Sequence, residues 1–158
     1  MPITLTPLEA VLNVALSFQW VKETGSNRGE AVDQFVRSCG LDPAGAYPWC
    51  ACFASYVGRA VLGGRWPLPM DAACQTLYTH AQAKQLIVAA PQRGDLFLLW
   101  SDAKQRFHHT GFVLDQQADG SWLMVSGNTN LTGAVDGTGV FVHPFRFGPK
   151  DVFVRWAS

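Results

Sequence analysis

The apolar residues of this chain change their spacing after about Gln85, and that change limits the fold more than any other feature. Before it they recur every three or four positions. Leu8, Val11, Leu12, Ala15, Phe18 and Val21 form one such stripe and predict a first helix up to about Lys22. Thr6-Pro7-Leu8-Glu9 opens it: the Thr6 hydroxyl caps, Pro7 suits the first turn, and Glu9 can reach back to the Thr6 amide. After a loop at 24–29, Val32, Phe35, Val36 and Cys39 mark a second helix that Gly40 terminates. A third runs over Cys50–Leu62 and stops at Gly63-Gly64; a fourth runs from 71 to about 85 with Cys74, Leu77, Tyr78 and Ala81 on one side. Beyond it, 95–100, 109–114, 122–125, 138–142 and 152–156 are short β-branched or aromatic runs separated by turn residues. Helices followed by strands predict an α+β fold, with N-terminal helices packed on a C-terminal antiparallel sheet.

With 158 residues, 48% of them hydrophobic and 15% charged, the chain suffices for a single domain, 1–158, with its own core. Twelve basic and twelve acidic residues cancel, so no overall field draws it to nucleic acid or to an anionic membrane. No stretch is apolar and long enough to insert in a bilayer, and a monomer is expected. Met1-Pro2-Ile3-Thr4-Leu5-Thr6 lacks the basic head and apolar run of a secretory signal, which predicts synthesis in the cytoplasm. The four cysteines, Cys39, Cys50, Cys52 and Cys74, are expected as free thiols, with a Cys39 to Cys74 bridge open to a protein working outside the cell.

Two segments carry chemistry. Pro48-Trp49-Cys50-Ala51-Cys52-Phe53 puts Cys50 in the first turn of the third helix, where unpaired amides and the helix dipole favour a thiolate and offer donors to an oxyanion. Pro48 and Trp49 make a stiff approach from which Cys50 is expected to point outward, with Trp49 walling the site from water. Cys52, Cys39 and Cys74 are assigned to the core. In the second segment, His108 and His109 alternate on a strand, so one of them serves Cys50. His109 is chosen because Gly111, on its face, leaves room for a substrate or a helix. Asp119-Gly120 signals a hairpin. Pairing Gln116 with Ser121 places Asn128 opposite His109, and a tighter turn places Asn130 there. Either register keeps Ser126, Asn128 and Asn130 on the His109 face, where an amide oxygen can orient the imidazole. His80 and His143 have no comparable setting, and Asp95 suits a turn or cap.

Asn27-Arg28-Gly29, Tyr47-Pro48-Trp49-Cys50-Ala51-Cys52-Phe53-Ala54-Ser55-Tyr56, Arg93-Gly94-Asp95-Leu96, His109-Thr110-Gly111-Phe112-Val113 and Gly127-Asn128-Thr129-Asn130 together resemble the CHAP amidase/peptidase family, in family order. The resemblance implies a papain-like fold related to NlpC-type cell-wall peptidases and a peptidoglycan hydrolase that cuts amide bonds. It implies Cys50 as nucleophile, His109 as base and acid, and Asn128 as the polar third residue. Ser126 stands where many relatives have glutamate, so orientation falls to Asn128, or to Ser126 through a water. Tyr47 offers a hydroxyl to the oxyanion site or a ring for packing. Some relatives hold calcium before the cysteine; 41–49 contains only Asp42, so no metal or other cofactor is expected. A lone domain without signal fits a phage lysin released through a pore or an antibacterial effector exported by a secretion machine, the latter with an immunity protein. Two other readings are a non-catalytic papain-like domain that binds the wall or a partner, and a metal module built on Cys50, Cys52, Cys74 and His80. One residue between Cys50 and Cys52 is too few for the usual zinc spacing.

Overall fold

Thr6 caps the first helix as its sequence predicts, its hydroxyl accepting the Glu9 amide at 3.2 Å with Pro7 in the first turn. Glu9 turns the other way, to Arg93 at 2.9 Å, and ties the helix to the sheet half of the chain. The computed structural model describes residues 1–132, 134 and 137–157, and over these the protein is α+β. Four helices, α1 (Pro7–Ser17), α2 (Glu30–Ser38), α3 (Cys50–Leu62) and α4 (Cys74–Ala83), precede six strands. The strands are β1 (Ile87–Val88), β2 (Leu96–Ser101), β3 (Arg106–Gln116), β4 (Trp122–Thr129), β5 (Gly139–Phe145) and β6 (Val152–Val154). They form one open antiparallel sheet in the order β1-β6-β2-β3-β4-β5.

Both faces of the sheet are covered. The helices lie on one, where Leu96, Leu98, Phe112, Leu114 and Val125 meet Val11, Leu12, Phe35 and Phe53. On the other, Phe97, Leu99, Val113, Met124 and Phe153 form a smaller core against Phe145 and Phe147. The buried helix α3 is the centre of the larger core. Phe53 meets Phe35 edge-on at 5.4 Å and Phe18 at 6.1 Å, and Trp49 stacks on Phe35 at 6.0 Å. Trp49 and Phe53 also rest on Gly127 of β4, where a Cβ would stand 2.6 Å from the indole ring. That contact fixes the height of α3 above the sheet, and Cys50 follows directly.

Several boundaries differ from the spacing. α1 ends at Ser17 rather than near Lys22, because the backbone of Val21 and Glu23 turns to pair with Val140 and Thr138 beside β5. Phe18 and Val21 keep their packing without the helix. α4 starts at Cys74 rather than at 71, since the Asp71 carboxylate takes the Ala73 amide and turns the backbone. β1 is a two-residue strand without an apolar pattern of its own. β4 runs to Thr129 rather than stopping at 125, so Gly127-Asn128-Thr129 is strand. Asp95 does cap, accepting the Gln92 amide at 2.8 Å, and it also binds Arg155 at 2.9 Å, joining β2 to the end of β6.

Phe53→Ala should lower the unfolding free energy by about 3–5 kcal/mol, since it empties the contact between α3, α1 and α2. Urea denaturation of the two proteins measures it.

Candidate active site

Cys50 occupies the first position of α3, but its side chain turns inward and is 2% exposed, which corrects the outward orientation expected from Pro48 and Trp49. The thiol meets another thiol. Cys50 Sγ lies 3.8 Å from Cys74 Sγ, at the start of α4, and 3.9 Å from the His108 carbonyl oxygen. Cys74 is therefore a neighbour of the candidate nucleophile as well as a core residue. Cys39 sits beside Cys52 instead of Cys74, so the thiols are arranged as two pairs other than the one considered.

His109 is 0% exposed and stands opposite Leu99, its ring 5.8 Å from Phe97. The pairing of β3 with β2 slips at this point: Leu99 faces His109 and Trp100 faces Phe107, leaving His108 as the extra residue of a bulge. Strict alternation therefore does not separate His108 from His109. His108 Nδ1 donates to the Leu99 carbonyl at 3.0 Å, and His108 borders the cleft that also contains Cys50. That cleft holds about 350 Å³ and is lined among others by Tyr47, Pro48, Cys50, Cys74, Arg106 and His108. His109 lies behind it.

The partner of His109 is Ser126. Its Oγ lies 3.2 Å from His109 Nε2, reached across Gly111, where a Cβ would stand 2.5 Å from the serine Cβ. The space left by Gly111 is thus filled by Ser126 and Phe97 rather than kept for a substrate or a helix. Next to the hairpin Gln116 pairs with Trp122 rather than with Ser121, and a slip before Val113 then pairs Phe112 with Val125, which sets Ser126 beside Gly111. Asn128 does not continue the alternation. It takes φ 55°, pairing with β5 slips between Ser126 and Thr129, and its buried amide has no hydrogen-bond partner among the described residues. The structure thus brings Ser126 directly to His109, with no need of a bridging water, and does not bring Asn128 there. Asn130 instead closes the following turn, accepting from Thr132.

Trp49 is wholly buried, donates to Glu23 at 2.8 Å, and does not border the cleft, so it holds α3 rather than walling the site. Tyr47 does border the cleft, its ring packed over Gly45. His80 is exposed on α4, away from any metal-binding group: among the described residues no cluster of three or more His, Cys, Asp or Glu is arranged to hold a metal ion. His143, given no role by sequence, stands 3.5 Å from Ser126 Oγ.

The electrostatics favour a thiolate at Cys50. The Cys74 thiol, as hydrogen-bond donor, holds the Cys50 thiol well below its ordinary value against the effect of burial. The nearby His109 imidazole and the amide of Thr110 add to it. Cys74 is pushed up in turn, because two adjoining thiols share one proton. Cys50 gives up its proton because His109 is on its side of the pair. Burial holds His108 and His143 below the usual histidine range, against the carbonyls of Leu99 and Pro144 respectively.

No family model matches this chain, and no match appears among curated proteins or solved structures. No helix among the described residues is long and apolar enough to cross a membrane.

Replacing Cys74 with Ala should raise the pH at which Cys50 becomes reactive, since the thiolate loses its donor; Cys74→Ser should shift it less. The rate of alkylation against pH reads this directly, and a profile unmoved by Cys74→Ala would refute the shared-proton account. His108 and His143 also predict a pH dependence of stability. Their native affinity for protons is lowered, so the unfolded chain binds more protons below its own histidine value of about 6.5. Their contribution is fully present above that value and is lost as pH falls through the native values. Thermal melting from pH 8 to 5 should show the decline, reduced in the His108→Gln/His143→Gln protein.

Proposed function

We propose that this protein is a cysteine hydrolase of the CHAP type, with a papain-like arrangement of helix and sheet, that cleaves amide bonds in peptidoglycan. The observation that carries the reading is Cys50 at a helix start, its thiol held low by Cys74 and the nearby His109, whose Nδ1 has no hydrogen-bond partner among the described residues. The substrate class rests on the resemblance of the segments around Cys50, His109 and Asn128. In this reading Ser126, in place of Asn128, orients His109.

The chemistry follows from those positions. His109 takes the Cys50 proton, and the thiolate attacks the amide carbon. The amides at the start of α3 face the oxyanion that forms. Its collapse breaks the C–N bond, the amine leaves with the proton held by His109, and the acyl group remains on sulfur as a thioester. Water, deprotonated by the same imidazole, then releases the acid and returns the thiol. Such a domain acts as a phage lysin or as an exported antibacterial effector, and the latter requires an immunity protein in the cell that makes it.

A papain-like domain that binds the wall without cutting it is the second reading, favoured by the near-complete burial of Cys50 and His109. Incubation with isolated peptidoglycan, with fragments identified by mass spectrometry, separates the two. The unmodified protein should release fragments whose masses name the bond. Cys50→Ala and His109→Ala should each reduce release by roughly a thousandfold or more, with no further loss in the double variant. Full activity in Cys50→Ala ends the proposal, and intact peptidoglycan with a slow-reacting Cys50 favours the binding domain.

A further inference from the structure

One buried polar side chain is absent from the chemistry above. His143, 1% exposed, stands on β5 opposite Met124 of β4, on the sheet face that Ser126 and His109 share. Its Nδ1 lies 3.2 Å from the Pro144 carbonyl oxygen. A carbonyl only accepts, so Nδ1 carries a hydrogen; burial keeps the ring from taking a second, which leaves Nε2 as an acceptor. That Nε2 is 3.5 Å from Ser126 Oγ, the longest link of the series, and the serine turns its one hydrogen toward it. Toward His109 the serine then presents only lone pairs. His109 Nε2, at 3.2 Å, must be the donor. In a neutral imidazole this leaves Nδ1 bare, and Nδ1 is the buried ring nitrogen without a partner among the described residues.

We infer that His143 is a positioning residue that acts through Ser126 to hold the proton of neutral His109 on Nε2, leaving Nδ1 as the base for Cys50. The catalytic consequence rests on the cysteine hydrolase reading; the proton arrangement does not. Among the described residues the titratable groups that act on the relay are Cys50 and His108, both on the His109 side, and no carboxylate forms an ion pair with any of these histidines. The relay works by direction of donors rather than by charge. Without His143 the serine hydrogen is free to turn toward His109 Nε2, which would move the imidazole proton to Nδ1, the wrong nitrogen for a base.

The test reads tautomers directly. In histidine-labelled Cys50→Ala protein at pH 8, where His109 has no thiolate to pair with, long-range proton–nitrogen correlation should show His109 protonated on Nε2. Adding His143→Leu should bring up an Nδ1-protonated population of about a tenth or more. His143→Gln, whose amide oxygen can accept from Ser126, should restore the Nε2 form. In the otherwise unmodified protein, His143→Leu should lower kcat on peptidoglycan by roughly 10- to 100-fold with KM steady, and His143→Gln should recover most of that loss. An Nδ1-protonated His109 in the Cys50→Ala protein overturns the inference, even if His143→Leu fails to fold. So does a tautomer indifferent to His143→Leu in a folded protein. A relay that responds as expected in a protein inactive on peptidoglycan leaves the inference standing and removes the hydrolase reading.

Discussion

The close approach of α3 to β4 over Gly127 is the contact on which the rest of this molecule depends. Any side chain at that position would stand in the ring of Trp49 and against the Cβ of Phe53. With the glycine, both aromatic residues settle on bare backbone and the helix start lies low on the sheet. Glu23 holds the indole nitrogen from the far side, so Trp49 is fixed at ring and tip alike. Cys50 is covalently next to it and inherits the position. A second glycine works on the opposite face, where Gly111 lets Ser126 reach the imidazole of His109. Two missing side chains, one on each face of adjoining strands, thus set the candidate nucleophile and the orientation of the candidate base.

Among the described residues no acid is paired with His109. A carboxylate beside His109 would stabilise an imidazolium by attraction. Ser126 and His143 contribute only hydrogen-bond direction, which is weaker on the ion but decisive for which nitrogen holds the proton. The pull toward a thiolate comes largely from the other side, where Cys74 donates to Cys50. Polarity around the thiol is thereby divided between a sulfur donor from a neighbouring helix and an imidazole from the sheet.

Much of this was legible in the residues. The cap at Thr6, the limits of α3 and the concentration of strands after residue 86 follow from local spacing and turn chemistry. The side of the strand on which Ser126 lies follows from the alternation counted from the Asp119-Gly120 hairpin, but the pairing at the hairpin itself does not, since Gln116 meets Trp122 rather than Ser121 and the ladder slips before Val113. What failed to show depends on contacts between distant segments. The bulge at His108 and the left-handed backbone of Asn128 both break the period of two; no residue type announces the first, and for the second the only signal is the tolerance of asparagine for that conformation next to a glycine. The approach of Cys74 to Cys50 joins two helix starts whose separation along the chain carries no signal. His143 is found only through the β4–β5 pairing, and the connection between those strands, 130–138, is too long for a two-residue hairpin from which to count.

The placement of β6 has a further consequence, for the order in which the sheet is assembled. Val152–Val154 lies between β2 and β1, so two strands formed earlier in the chain meet only through a segment that follows all the other strands. Until β6 docks, one side of β2 exposes a row of unpaired amides and carbonyls beside Phe97 and Leu99, an edge able to template pairing with another chain. Asp95 and Arg155 close that gap with an ion pair at the rim, and Trp100 is bound through its amide to Asp151. The contacts that complete this sheet are far apart in sequence, which delays its closure and leaves that edge open to association until β6 docks.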